Sequence, residues 1–174
     1  MLARPLSVIR AAHPGLSTNA RAIVEALCLA EGSIGSSTRV AQALGLRNRF
    51  ELGRMLVREG LPTLHCMTKW LTVLSWVETA ERERVSLCKI AFRVGRYPGT
   101  CYRMVKEVTG QSWQEVRARG SGWVEQAFLR ELRNRASDAG SPRDGTSLLR
   151  DSCVIAVDQP SPRIGRYTSS LTRE

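Results

Sequence analysis

Two stretches carry one pattern: Val40-Ala41-Gln42-Ala43-Leu44-Gly45-Leu46 followed by Arg49-Phe50-Glu51-Leu52-Gly53-Arg54-Met55-Leu56, and Cys88-Lys89-Ile90-Ala91-Phe92-Arg93-Val94-Gly95 followed by Thr100-Cys101-Tyr102-Arg103-Met104-Val105-Lys106. Gly60 closes the first and Gly110 the second. Each copy reads as an apolar helix, a turn at a glycine, and a second helix that carries arginine. Glycine suits the turn because it takes positive φ without a Cβ clash. That order of elements is a helix-turn-helix. Two of them in one chain predict an all-α fold built from paired units.

Working outward, Ser17 or Thr18 can cap a helix that runs to Leu29-Ala30 and stops at Gly32. Its apolar positions, Ala20, Ile23, Val24, Leu27 and Cys28, follow helical spacing. Ser37 or Thr38 is expected to cap the first helix of the first repeat. Its second helix is expected over about residues 48–58, with Phe50, Leu52, Met55 and Leu56 as inner positions. Gly60-Leu61-Pro62 ends it. Residues 64–81 form the longest helical pattern, with Leu64, Met67, Leu71, Leu74 and Val77 in one stripe and Trp70 and Val73 beside it. A helix of that length spans ~25 Å. Residues 81–84, Glu-Arg-Glu-Arg, read as its solvated end.

Ser86 caps the first helix of the second repeat, with Ile90, Ala91 and Val94 facing inward. Pro98 fits the first turn of the next helix. Ser112-Trp113-Gln114-Glu115 is a capping box. Ser121 opens a last helix with Trp123, Val124, Ala127, Phe128 and Leu132 on one face. The apolar period ends at Arg135. The expected organisation is therefore a loose leader (1–16), a first helix-turn-helix unit (17–62), a linker helix (63–84), a second unit with C-terminal helices (85–135), and a polar tail (136–174) expected to be disordered. The tail's one apolar run is residues 153–157.

Charge narrows the function. The chain has 174 residues, a formal net charge of +10 and 43% hydrophobic residues. Residues 36–67 carry five basic and two acidic side chains, and residues 86–120 seven and two, whereas 136–174 carry five of each. The excess sits on the repeats and is mostly arginine, which grips phosphates and guanine edges bidentately. Duplex DNA is the expected partner, with an anionic membrane or an acidic protein as the other readings of such charge.

The five cysteines, Cys28, Cys66, Cys88, Cys101 and Cys153, are scattered and form no C-x-x-C, so they read as small buried hydrophobes in a reducing compartment. His65 beside Cys66 has no second ligand pair, so no metal and no cofactor are expected. No catalytic motif is present, and the chain does not read as an enzyme. Residues 1–14 hold no continuous apolar stretch, and no run approaches a membrane span. A cytoplasmic, nucleoid-associated protein is the expectation.

The ordered pair of repeats around a long helix resembles the AraC-type DNA-binding domain of bacterial transcription regulators over roughly residues 17–120. Ser86, Ile90-Ala91, Gly95, Arg103, Val105-Lys106, Thr109-Gly110 and Val116-Arg117 carry the resemblance in the second repeat. Ala41, Leu44-Gly45, Leu52, Arg54-Met55-Leu56 and Gly60 carry it in the first. The chain departs by one residue in the register of each repeat, and Trp113 stands in place of the family's proline.

The resemblance implies that the second helix of each repeat enters a major groove. By position it puts Phe50, Gly53 and Arg54 of the first repeat toward bases, and Pro98, Gly99, Tyr102 and Arg103 of the second. The candidate base contacts are Arg54, Arg103, Tyr102 and Phe50. The candidate phosphate contacts are Arg49, Arg93, Arg96 and Lys106. Gly53, Pro98 and Gly99 bring no side-chain donor, so few direct contacts are expected. RNA polymerase or a separate sensor protein would be a further partner, because no segment here is long enough to be a sensor domain. The competing reading is an interaction module, in which the same fold binds a protein or coats nucleic acid without specificity.

Each motif also has a plainer reading. Any one exposed arginine is commonly just a solvated charge. Trp70, Trp76, Trp113 and Trp123 sit in apolar helical patterns and read as core or rim. Tyr97 and Tyr102 suit either a surface or a site.

Overall fold

A computed structural model describes Ile9 and residues 15–139 of the chain. Among the described residues there are eight helices and no strand: α1 (Thr18–Leu29), α2 (Ser37–Ala43), α3 (Arg49–Arg58), α4 (Leu64–Glu83), α5 (Leu87–Arg93), α6 (Pro98–Thr109), α7 (Trp113–Arg119) and α8 (Ser121–Ala139). The all-helical expectation holds there. The backbone of α8 continues to Ala139, past the end of the apolar period. Residues 136–139, expected to open a disordered tail, are thus helical, because the backbone hydrogen bonding of α8 runs on past its apolar face; residues 140–174, the rest of the expected tail with its apolar run, lie outside the described residues. So does most of the expected leader, although Ile9 is buried in the core, which a loose leader does not account for.

Polar side chains set where the helices start. Ser17 Oγ accepts from the Ala20 N–H, Ser86 Oγ from the Lys89 N–H, and Ser112 and Glu115 form the reciprocal capping box. Ser36 caps α2 by accepting from the Arg39 N–H, one residue earlier than the sequence suggested. Asn48 Oδ1 accepts from both the Phe50 and Glu51 N–H groups at 3.0 Å. Pro98 occupies the first turn of α6.

The two repeats end their first helices in the same way. The Leu46 N–H donates to the Ala41 carbonyl at 2.9 Å, and the Arg96 N–H to the Ala91 carbonyl at 2.9 Å. Gly45 and Gly95 donate to the Gln42 and Phe92 carbonyls with φ of 69° and 65°. Both turns are therefore Schellman motifs, whose left-handed residue favours glycine. From there the second turn is one residue shorter, because α3 begins at Arg49 and α6 at Pro98. Leu52 and Leu56 of α3, and Cys101 and Val105 of α6, are the buried residues that anchor each second helix, with Met55 added in α3.

The long helix α4 does more than join the repeats. Its 20 residues span ~30 Å. Besides the expected stripe, Cys66, Lys69, Trp76 and Ala80 are also buried. A helix buried on nearly all sides is a core helix, and α1, α5, α6, α7 and α8 all pack on it. Trp70 stacks on Phe128 of α8 with ring centroids 5.8 Å apart. Gly32, at φ 86°, lets the chain leaving α1 press on α4, since a Cβ there would lie 2.6 Å from the Thr68 carbonyl oxygen. In the first repeat, α2 packs on α3.

Residues 81–84 are exposed, as expected of a solvated end of α4, and two of them make contacts across the fold. The Glu81 carboxylate accepts from the Ser121 N–H at 2.8 Å and from the Ser121 hydroxyl at 2.6 Å, so it holds the start of α8. Glu83 pairs with Arg93 and Arg82. Its carboxyl is held below the usual carboxylate range, chiefly by the hydrogen bond from Arg93.

Candidate functional site: two arginine-bearing helices

Two apolar expectations fail at the surface. Phe50, expected to face inward, is 66% exposed, and Val94 is 51% exposed. On α3 the buried row is Leu52, Met55 and Leu56, and Phe50 lies off that row at the start of the helix. Val94 follows the last turn of α5 as its C-terminal cap, where the chain is already leaving the core.

On α3 the candidate residues come together. Arg49, Phe50, Gly53 and Arg54, joined by Glu51, Val57 and Arg58, line an open hollow between protruding side chains of this one helix. Phe50, Arg54 and Val57 follow i, i+4, i+7 spacing and form one outward face. Val57 is 58% exposed, and no atom would touch a Cβ added to Gly53. The Arg49 guanidinium lies over the Phe50 ring, 5.0 Å from its centroid. The start of α3 is fixed by the Asn48 cap and by Glu51, whose carboxylate accepts from the Arg47 N–H at 2.8 Å. Val57 and Arg58 were not singled out as site residues. Their helical spacing from Gly53 and Arg54 was the available signal.

On α6, Tyr102, Arg103 and Lys106 are exposed and Pro98 is half-buried. Gly99 differs from Gly53. A Cβ there would meet the edge of the Tyr97 ring at 2.8 Å, although Gly99 itself is exposed. The phosphate candidates are not equally available. Arg93 pairs with Glu83, and its side chain stays 48% exposed. Arg96 lies over the Trp76 ring, 5.9 Å from its centroid, with its charge toward the core's rim. Phe92 and Tyr97 beside them are strongly exposed.

Cys28, Cys66 and Cys101 are buried and Cys88 is half-buried. Cys153 lies outside the described residues. Burial pushes the Cys28 thiol up to about 11 and raises that of Cys101 as well, so neither is a thiolate at neutral pH. His65 is exposed as a residue, and its imidazole is held below its usual range by partial burial and by Lys69. Among the described residues no group of histidine, cysteine and carboxylate could hold a metal ion. Trp70, Trp76 and Trp113 are core residues, and Trp123 is half-buried under Arg119.

Among the described residues no helix is long and apolar enough to cross a membrane. No protein-family model, no curated protein and no solved structure matches the chain.

Proposed function

We propose that this chain is a sequence-specific reader of duplex DNA that acts in transcription regulation. In this reading α2–α3 and α5–α6 are two helix-turn-helix units, as in the AraC-type domain the sequence resembles, and α3 and α6 are the reading helices. The observation that carries it is the repeated construction: a serine cap, a Schellman turn at glycine, and a second helix that buries two apolar anchors and exposes Arg54 or Arg103. Each of these arginines can donate two hydrogen bonds to guanine O6 and N7. Arg49 and Lys106 suit phosphates, which position a protein without specifying sequence. Successive major grooves on one DNA face lie ~34 Å apart, and α4 at ~30 Å is long enough to set such a spacing.

Selection from randomised duplexes tests this directly. The expected outcome is an enriched motif in two parts about one helical turn apart. Arg54→Ala and Arg103→Ala should each relax one base pair, costing ~1–3 kcal/mol. Affinity should fall with salt by ~0.9 in log K per phosphate contact in log salt. If nothing is enriched, the chain does not read sequence. The exposed Phe92, Val94 and Tyr97 beside the second turn favour the other reading, a protein-binding module, and it is what an empty selection would leave standing.

A further inference from the structure

We propose that the hollow on α3 receives thymine 5-methyl groups, which makes Phe50 and Val57 specificity residues for the first half-site; this rests on α3 being a reading helix. Phe50 and Val57 are among the most exposed large apolar side chains of the described residues, and they flank one patch of helix. Between them Gly53 leaves the backbone bare, with nothing within 4 Å of an added Cβ. A surface group can therefore approach the helix axis there more closely than at any residue with a side chain. Around this apolar floor stand Arg49, Arg54 and Arg58 and one carboxylate, Glu51, which accepts from the Arg47 N–H, so the surround is net positive.

The occupant must be apolar at its centre and anionic around it. A duplex major groove meets both conditions. Thymine is the base that presents a methyl group there, and phosphates line both edges. Arg54 lies in the same face as the apolar pair, so a guanine bonded by Arg54 and a methyl seated over Gly53 would be neighbours in the groove. The second repeat lacks this hollow, because with Leu52 and Leu56 matched to Cys101 and Val105 the place of Gly53 is taken by the side chain of Tyr102. The inference therefore concerns α3 alone.

The test replaces thymine by deoxyuridine, which removes the methyl and changes nothing else at the groove edge. The full chain is measured against its selected duplex by fluorescence anisotropy at one salt concentration. The half-site of α3 is the one in which Arg54→Ala relaxes a base pair. Within it, at least one thymine-to-deoxyuridine change should weaken binding about four-fold, the value of one buried methyl. Phe50→Ala should lower affinity for the thymine duplex and bind both duplexes equally. Phe50 is exposed, so this variant should keep the parent's circular dichroism and melting temperature.

An enriched motif whose thymines can all be replaced without loss overturns this inference and leaves the duplex reading intact. Phe50→Ala that still prefers thymine four-fold overturns the assignment to this hollow. A selection that enriches no motif overturns the duplex reading and this inference with it.

Discussion

Lys69 is the charged residue of α4 that the core encloses, 7% exposed, and its ammonium pairs with Glu107 on the outer side of α6. The pair bolts the second arginine-bearing helix to the central one. Removing one partner of a fully buried pair costs ~3–5 kcal/mol, because the other charge is left desolvated. The Glu107 side chain is 34% exposed, so water reaches the site and reduces that penalty. Glu107→Ala should therefore cost about 2 kcal/mol and lower the melting temperature by about 5–10 °C. Lys69→Met keeps the stem and deletes the charge, while Glu107 turns to solvent, so its cost should stay under about 1 kcal/mol.

In the Lys69→Met background, Glu107→Ala should then cost less than about 0.5 kcal/mol, a coupling of at least about 1 kcal/mol. Urea unfolding followed by circular dichroism on the four proteins of the cycle gives that number. A second readout comes from His65, whose imidazole is depressed by partial burial and then by Lys69. Lys69→Met should raise its titration midpoint by NMR. Strictly additive stabilities together with an unmoved His65 would refute the reasoning, because the two charges would then not be felt in the core.

Two further outcomes follow from contacts that cross the fold. Glu81→Ala removes the acceptor for the Ser121 N–H and hydroxyl, so it should destabilise by about 1–2 kcal/mol and speed amide exchange at the start of α8; unchanged exchange there would count against the cap. Glu78 has its carboxyl raised by burial and by Glu31. A raised carboxyl costs nothing below the ordinary carboxylate range and its full penalty above the raised value. Glu78→Gln should therefore melt higher than the parent at neutral pH, and the gap should close as pH falls through the carboxylate range. A gap independent of pH would show that charge at Glu78 is not its cause.

What was legible in the sequence was local. The serine caps at 17, 86 and 112, the proline at the start of α6, and the turn glycines act within a few residues of themselves, so composition and spacing reveal them. Helical period found the stripe of α4, but not that Cys66, Lys69 and Trp76 are buried too. Those faces are covered by helices distant in the chain, and no local period encodes them. The same distance hid the role of Glu81, whose partner is 40 residues away. Phe50 failed for a different reason. A short helix start can carry an apolar residue that satisfies the inward spacing and still points out, because the core reaches only the row through Leu52 and Leu56.

The site shows the limit most sharply in its two glycines. In sequence Gly53 and Gly99 look alike, each a residue without a donor where a reading helix should contact bases. Both therefore argued equally for sparse recognition. In the structure they differ: Gly53 floors an open hollow between two exposed apolar side chains, while Gly99 is exposed with the edge of the Tyr97 ring too close to admit a Cβ. The absence of a side chain is a loss of contact only when nothing else can use the space. At Gly53 the space is free, apolar at its walls and bordered by three arginines and Glu51, so under the proposed function the glycine that seemed to subtract from recognition would supply the room for it. At Gly99 the same residue serves only to seat an aromatic ring. If α3 and α6 read DNA as proposed, they divide the work unequally: α3 would combine methyl contact with one arginine, and α6 would rely on Arg103 and Tyr102.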